Sequence, residues 1–188
     1  MGFELTKEYL DEVFDAIDRK DLAWFQKHLF DLHDADIADL IDELDEQQAA
    51  YIYALLDDEQ QADVLTELDE DTRENLIRKF SSKEIAEQVE NLESDDAADI
   101  IGELPQKQIE EVISHISDDL AAEEIVDLLN YDDDTAGGLM AKELIKVNEN
   151  WNTLQCLKEM RKQAEDVKKV YTIYVVDDNN KLLGSLSL

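Results

Sequence analysis

The chain has 188 residues, of which 44% are hydrophobic, and its 49 acidic residues against 17 Lys and Arg give a net charge of -32. This hydrophobic content is typical of a packed globular chain and excludes a disordered acidic tail, while the length allows one ordinary domain and a smaller one. Because so negative a surface repels phosphate backbones and anionic membranes and concentrates cations, we expect no nucleic acid among its partners.

The negative charge is concentrated in the first part of the chain. Residues 1–130 carry 39 acidic residues against 9 Lys and Arg, a net charge of -30, whereas residues 131–188 carry 10 against 8. No Lys or Arg lies between Lys27 and Arg73, so neighbours along a helix cannot neutralise most of the acids there. Metal ions or a basic partner would do so.

The opening segment, MGFELTKEYLDEVF, lacks a basic region followed by an apolar core and therefore predicts no signal peptide. No run approaches the roughly 18 apolar residues of a membrane span, so the chain as given is expected to be soluble. A single cysteine, Cys156, excludes an internal disulfide and fits a reducing compartment. The amphipathic residues 9–17, followed by Trp24 and Phe25, are predicted to cap the start of the array described next.

A twelve-residue repeat organises residues 28–130. Its first apolar column is unbroken: Leu32, Leu44, Leu56, Leu68, Phe80, Leu92, Leu104, Ile116 and Leu128. A second apolar column stands three residues earlier: Ile41, Tyr53, Leu65, Ile77, Val89, Ile101, Ile113 and Ile125. Six residues before the first column most units have alanine: Ala38, Ala50, Ala62, Ala86, Ala98 and Ala122. Apolar residues at this spacing define one face of a helix.

Polar residues between the units predict helix N-caps at Asp57, Asp69, Ser81, Ser94 and Ser117. Each unit is therefore a helix of two to three turns and a short turn, which must stack on its neighbours to bury its apolar face. The predicted fold class is mainly α: a right-handed superhelical solenoid of short helices, without a strand, followed by a partial α/β motif.

The period of the pattern changes after Met140. Residues 143–147 are predicted to form a short strand, and a helix begins after the polar cap Asn152. The β-branched and aromatic run VYTIYVV, residues 170–176, and the segment KLLGSLSL after the turn DDNN are two further strands. The predicted order is strand, helix, strand, strand.

Three stretches resemble one known family. YDDDTAGGLM, residues 131–140, closely resembles the junction motif of MgtE-type magnesium transporters, and IYVVDDNNKLLGSLSL resembles the second half of a CBS motif. The acidic array is similar to that family's N-terminal cytosolic domain. The resemblance implies an acidic helical-repeat domain over residues 1–130 and a junction with an incomplete first CBS motif over 131–188. Ser187 matches the hydroxyl position of a G-x-x-S/T-x-x-D pattern that starts at Gly184, whose Asp would fall past Leu188.

The resemblance implies a function as well. It is that of a cytosolic Mg²⁺-sensing and gating region of a magnesium transporter or channel, at the cytoplasmic face of the cell membrane, with Mg²⁺ as the cofactor. In the family, ions bound between the acidic domain and the CBS domains favour the closed pore. The implied partners are the remainder of the same transporter, with its CBS pair and transmembrane pore, and a second copy of the chain bound through the CBS domains. A complete CBS pair would also accept an adenine nucleotide.

The positions that match the family's ion-contacting groups are Asp63, Asp95, Asp99 and the backbone at Gly138. On a helix, Asp95 and Asp99 share one face and repel by roughly 0.2 to 0.5 kcal/mol, a penalty that a bound dication reverses. Simpler interpretations stay open, because Asp95 follows a predicted N-cap, where acids favour the helix dipole, and Asp63 fits a solvated outer face. The glycine pair at the junction can take backbone angles closed to other residues, which suits a cation-operated hinge and equally a solvated linker.

Catalysis is not predicted from this sequence. His28, His33 and His115 are scattered, no unit places one beside a nucleophile and an orienting acid, and no glycine loop has the usual phosphate-binding spacing. His115 is expected at the surface. Two other functions remain open: an acidic helical scaffold that binds a basic protein partner, and an adenine-nucleotide-sensing CBS module.

Overall fold

The structure, a computed structural model, describes residues 3–132, 134–164, 167, 170 and 172–187. The chain separates into two compact units. Unit 1 comprises Met1–Leu92 and Asp99–Ala122, and unit 2 comprises Glu93–Ala98 and Glu123–Leu188. The domain boundary expected at residue 130 stays a prediction.

Short helices contain most of the first 128 residues. They are α1 Lys7–Arg19, α2 Leu22–His28, α3 Asp34–Asp42, α4 Glu46–Tyr53, α5 Asp58–Glu67, α6 Glu70–Ile77, α7 Ser82–Val89, α8 Ser94–Gly102, α9 Gln106–Ile113 and α10 Asp119–Leu128. Residues 28–130, all of which are described, contain no strand, as predicted. From α3 onward the helices begin about every twelve residues, so the repeat seen in the sequence is a repeat of helices.

The helices of unit 1 pack on the helix two positions further along the chain. Helix α3 contacts α5, α5 contacts α7, α7 contacts α9, and α4 contacts α6. This alternation makes two consecutive helices the repeating layer, which is the predicted solenoid arrangement. The predicted handedness of the superhelix stays a prediction.

The predicted helical face is the buried one. In the second column Ile41, Tyr53, Leu65, Ile77, Val89, Ile101 and Ile125 are at most 3% exposed. In the first column four residues are buried: Leu56, Leu68, Ile116 and Leu128. The structure adds a column that the sequence analysis missed, four residues before the first: Leu40, Ile52, Val64, Leu76, Ile100 and Val112, each at most 2% exposed.

Two of the predicted N-caps form side-chain hydrogen bonds. Asp57 accepts from the backbone N–H of Gln60 at 2.9 Å, and Ser81 forms a capping box with Glu84 at the start of α7. Asp69 stands at the N-cap position of α6, but its side chain makes no cap hydrogen bond. These caps satisfy backbone N–H groups that have no partner within the helix.

The predictions of N-caps at Ser94 and Ser117 were wrong. Helix α8 begins at Ser94 itself. Ahead of α10 the capping side chain is Asp118, whose Oδ1 accepts from the N–H of Leu120 at 2.8 Å. Ser117 instead directs its backbone N–H and its hydroxyl to the carboxylate of Glu90. A carboxylate from elsewhere in the fold thus replaces the local interaction that the sequence suggests.

Arg73 of α6 joins the end of α5 to Glu103, the residue that follows α8. Its Nη1 donates to three carbonyl oxygens at the end of α5, those of Leu65, Thr66 and Leu68, at 3.1 to 3.4 Å. Its Nε and Nη2 donate to the two carboxylate oxygens of Glu103 at 3.1 and 2.6 Å. The guanidinium is therefore both a C-cap of α5 and one half of a bidentate ion pair, an arrangement that lysine cannot reproduce.

Unit 2 contains a small sheet and one helix after the junction. Strand β1 is Ile145–Asn148, helix α11 is Thr153–Gln163, β2 is Ile173–Val176 and β3 is Leu182–Leu186. Strand β1 is parallel to β2, with Ile145 opposite Ile173, and β2 is antiparallel to β3. The predicted order of strand, helix, strand, strand is confirmed. The part of the predicted third element at Tyr171 lies outside the described residues.

The buried core at the sheet of unit 2 consists of Ile145, Val147 and Ile173, each at most 3% exposed. Half-buried Cys156 and Met160 of α11 pack against it, so the helix covers one face of the sheet. No helix among the described residues of the chain is long and apolar enough to span a bilayer.

Replacement of Leu68 by alanine should lower the free energy of unfolding by about 2 to 5 kcal/mol, because it removes a buried side chain from the middle of the first column. Leu68 is 4% exposed. Urea unfolding followed by circular dichroism measures the change. The matched control is Leu120→Ala, at a position 63% exposed, which should change stability little. An equal effect of the two substitutions would contradict the assignment of the column as core.

Replacement of Arg73 by alanine should destabilise unit 1 by about 1.5 to 3 kcal/mol, since a carboxylate and three carbonyls lose a charged donor. Arg78→Ala is the control, because Arg78 forms an exposed pair with Glu74 one turn away, and such pairs contribute about 0.3 to 0.5 kcal/mol. The same urea titration compares them. Equal losses would show that Arg73 acts as an ordinary surface charge.

Candidate functional site

Helix α8 carries two of the predicted ligand residues. Asp95 is half-buried in its first turn and Asp99 is exposed one turn later, while Ala97 and Ile101 of the same helix are buried. The two acids therefore share the face predicted for them. Oδ1 of Asp95 is buried and has no hydrogen-bond partner among the residues that the structure describes. A buried carboxylate oxygen is costly without a partner, so this atom fits a cation ligand.

A carboxylate far along the chain holds the start of α8. Glu143 Oε1 accepts from the backbone N–H of Ser94 at 2.9 Å, and its Oε2 accepts from the Ser94 hydroxyl at 2.8 Å. The backbone N–H of Lys142 donates to the same hydroxyl oxygen at 3.0 Å. All three residues belong to unit 2. We call this set of three hydrogen bonds the Ser94–Glu143 latch.

The latch could not be found from the sequence. The two residues are 49 positions apart, Glu143 was interpreted as the start of a strand, and a Ser before two acids suggests an ordinary N-cap. In the structure the acceptor at this helix N-terminus is the carboxylate of Glu143, where the sequence suggested the side chain of Ser94. A carboxylate at a helix N-terminus is favourable both for its hydrogen bonds and for the helix dipole.

Lys142 adds an ion pair beside the latch. Its Nζ contacts Oδ2 of Asp127 near the end of α10, within unit 2. The hydrogen bond to Asp127 raises the pKa of Lys142 above its ordinary value, and the charges of Asp127, Tyr131 and Glu124 act in the same direction. The ammonium therefore stays protonated at neutral pH, and the stabilisation that it provides is lost only in strongly alkaline solution.

The junction folds into a turn stabilised by Thr135. Its hydroxyl donates to the Asp132 carbonyl at 2.8 Å, and the N–H of Gly138 donates to the same hydroxyl oxygen at 3.3 Å. The expected use of unusual glycine backbone angles was wrong, since no described glycine has a positive φ. Gly137 is required for another reason: a Cβ there would lie 2.3 Å from the ring of Tyr131.

The four predicted ligand positions divide between the two units. Asp63, half-buried on α5, and Asp99 belong to unit 1, while Asp95 and Gly138 belong to unit 2. Within the described part of the chain no three His, Cys, Asp or Glu side chains form a group that could hold a metal. The four positions stay predictions, and among them Asp95 has the buried oxygen that needs a partner.

Unit 2 also contains a cavity of about 300 Å³. It is lined by Met140, Ala141, Glu143, Leu144, Ile145, Val167, Val170, Thr172 and Tyr174. Mostly apolar walls with a few polar groups are typical of small-molecule sites, and the volume is at the lower end of their range. Glu143 is thus shared between the cavity wall and the latch.

The histidines have ordinary surroundings. His115 is exposed, as predicted. The ring of His28 stacks on Trp24 with 4.9 Å between centroids, and His33 precedes α3 at its N-cap position without a cap hydrogen bond. Stacking and solvent contact account for His28 and His115.

Two family models match consecutive parts of the chain. The one described as MgtE intracellular N domain matches residues 32–134, and the one described as CBS domain matches residues 136–188. Curated relatives include the "Magnesium transporter MgtE" of Thermus thermophilus, 42% identical over 65 residues, and that of Enterococcus faecalis, 37% identical over 65 residues. Each alignment covers 35% of this chain but only 14% of the relative, so the chain matches a small part of those proteins.

Two solved structures have the same fold. "Crystal structure of the soluble part of a magnesium transporter" superposes with a TM-score of 0.77 and 24% identity, covering 96% of this chain and 71% of that one. "Crystal structure of the cytosolic domain of the Mg2+ channel MgtE in complex with ATP" superposes with a TM-score of 0.82 and 28% identity, covering 95% and 73%. The first comparison is evidence for the fold alone.

Proposed function

This chain belongs to the MgtE intracellular N domain family, and on that premise we propose that it is the cytosolic Mg²⁺-sensing and gating region of a magnesium transporter. The predicted family and fold class are confirmed by the family and structure matches. The observation that carries the proposal is the buried Oδ1 of Asp95, which has no hydrogen-bond partner among the described residues. Mg²⁺ prefers oxygen ligands and commonly uses one or two carboxylates, and the carboxylate of Asp95 is a ligand of this type.

The carboxylates of Asp63, Asp95 and Asp99, with the backbone at Gly138, would hold the ion. Charges about 6 Å apart, the spacing of Asp95 and Asp99 along a helix, repel by roughly 0.7 kcal/mol in bulk water and about 2.8 kcal/mol at an effective dielectric of 20. Bringing another acidic surface against them raises that cost. A bound dication supplies the compensating charge, so the closed form of the transporter needs Mg²⁺.

The proposal extends to domain organisation and partners. The two family matches meet near residue 135, which supports a functional division into an acidic helical domain, 1–130, and a CBS part, 131–188. The partners would be the transmembrane pore of the same transporter, at the cytoplasmic face of the membrane, and a second copy of the chain bound through the CBS part. We propose no catalytic role, because the relatives are named as transporters.

The double substitution Asp95→Asn with Asp99→Asn should abolish most of the thermal stabilisation that millimolar Mg²⁺ gives the 188-residue chain. Without Mg²⁺ the melting temperature should be unchanged or slightly higher, because two like charges are removed from one helical face. Differential scanning calorimetry with Mg²⁺, and with NaCl of equal ionic strength, makes the comparison.

The control for this pair is Glu8→Gln with Glu12→Gln, two exposed acids with the same spacing on α1. These substitutions should leave the saturable response to Mg²⁺ intact. If the Asp95 and Asp99 variant melts much lower without Mg²⁺ and keeps the full response, the two acids stabilise the helix and do not bind the ion. A wild-type response equal in Mg²⁺ and NaCl would argue against the sensor itself.

A second candidate function is the binding of an adenine nucleotide in unit 2. It is favoured by the cavity of about 300 Å³ and by the similar solved structure described as a complex with ATP. In this interpretation the apolar wall would contact the base and the ribose, and the phosphates would extend into solvent.

Ala141→Phe should abolish any thermal stabilisation by ATP, because the larger side chain fills part of the cavity that Ala141 lines. Leu154→Phe is the control, since Leu154 is 79% exposed on α11 and does not line the cavity. Melting is measured with ATP in the presence of EDTA, so that Mg²⁺ makes no contribution. Equal ATP responses of the two variants would exclude this cavity as the nucleotide site.

A further inference from the structure

The Ser94–Glu143 latch joins two segments that the proposed function requires. Ser94 directly precedes Asp95, and Glu143 follows Gly138 by five residues. Ser94 is 4% exposed, and the hydrogen bonds to the Glu143 carboxylate, at 2.9 and 2.8 Å, are within the normal range for charged acceptors. The latch therefore fixes the first turn of α8 against the segment between the junction and β1, entirely within unit 2.

Helix capping alone does not account for the latch. A helix N-terminus needs one or two acceptors, and at α5 and α7 the N-cap residues Asp57 and Ser81 supply them locally. At α8 the acceptor is instead brought from a segment 49 residues away. It is also placed next to Asp95 and Asp96, in the first turn of α8. Three carboxylates around one turn repel each other, which a simple cap would avoid.

We propose that Glu143 is a positioning residue for the Mg²⁺ site, an inference that rests on the proposed function. Its carboxylate holds the Ser94 backbone and hydroxyl, and through them it sets the position of the Asp95 carboxylate relative to the segment that carries Gly138. Lys142 contributes its backbone N–H to the same hydroxyl and anchors the segment to Asp127. Groups that orient metal ligands in this way contribute strongly to affinity, because the ligands need not be ordered when the ion binds.

Five variants of the 188-residue chain test the proposal by isothermal titration calorimetry with MgCl₂. Glu143→Ala should weaken Mg²⁺ binding about tenfold or more, and Ser94→Ala should weaken it in the same direction. The variant with both substitutions should bind no more weakly than the worse single variant, because the two residues act through one contact. Glu143→Gln should bind within about twofold of wild type, since its amide can accept from the Ser94 N–H and donate to the hydroxyl oxygen.

The fifth variant, Glu149→Ala, is the matched control. Glu149 is an exposed acid of unit 2, and its replacement by alanine removes the same charge as Glu143→Ala does. Its Mg²⁺ affinity should stay at the wild-type value. Hydrogen exchange of residues 94–98 without Mg²⁺ provides a second readout. Loss of the latch in Glu143→Ala should speed exchange there, and Glu143→Gln should restore protection.

Each other outcome contradicts the proposal in a distinct way. If Glu143→Gln binds as weakly as Glu143→Ala, the charge of Glu143 is a ligand for the ion and the positioning role is wrong. If Glu143→Ala exchanges faster but binds Mg²⁺ like wild type, the latch is a structural cap. If the wild type shows no saturable binding beyond that of equal ionic strength, the proposed function fails, and this inference fails with it.

Discussion

A helix of eight to ten residues cannot bury its own apolar face, and the rest of unit 1 follows from that constraint. Each helix from α3 to α7 must find a neighbour, and because the turns between helices are short, the neighbour is two positions along the chain. Polar contacts between a carboxylate and a backbone N–H repeat with the same spacing along the chain. Asp42 accepts from the N–H of Asp69, and Glu90 accepts from that of Ser117, at equivalent places two layers apart. Both the apolar columns and these carboxylate contacts therefore depend on one spacing.

Repulsion between acidic side chains on the surface of this solenoid is strongest when no cations are present. Several of its few bases form ion pairs within the solenoid, as Arg73 does with Glu103 and Lys83 with Glu87. Most acids of residues 1–130 have no base to pair with, so any salt should relieve part of their repulsion by screening. A specific Mg²⁺ site differs from screening because it saturates and depends on particular oxygens. Comparison of Mg²⁺ with NaCl at equal ionic strength is thus what separates a sensor from a merely acidic protein.

Much of the fold was predictable because its sequence pattern is periodic. Most of the site was not predictable, because its contacts follow no sequence period. The buried second column, the helical units and the strand order could be deduced from spacing alone. The column containing Ile52 and Ile100 was missed because Gln88 and Glu124 interrupt it; Gln88 is accommodated by donating to Gln61 at 3.0 Å. The Ser94–Glu143 latch joins distant segments and leaves no local signal. At Gly137 the structure adds a constraint that the sequence did not indicate, because a Cβ there would lie 2.3 Å from the ring of Tyr131.

Three side-chain oxygens in the described part of the chain are buried without a hydrogen-bond partner, on Asp42, Gln88 and Asp95. In Asp42 the second oxygen accepts from Asp69, and in Gln88 the amide nitrogen donates to Gln61, so each side chain is held by one hydrogen bond and has a structural role. Asp95 has no comparable hydrogen bond to a described residue, and it is charged. Asp95 as a residue is half-buried, but a carboxylate oxygen that is buried without a partner is costly, so Asp95 has the greatest need for a partner of these three. A dication would satisfy that need, whereas a hydrogen-bond donor from the protein would make the ion unnecessary.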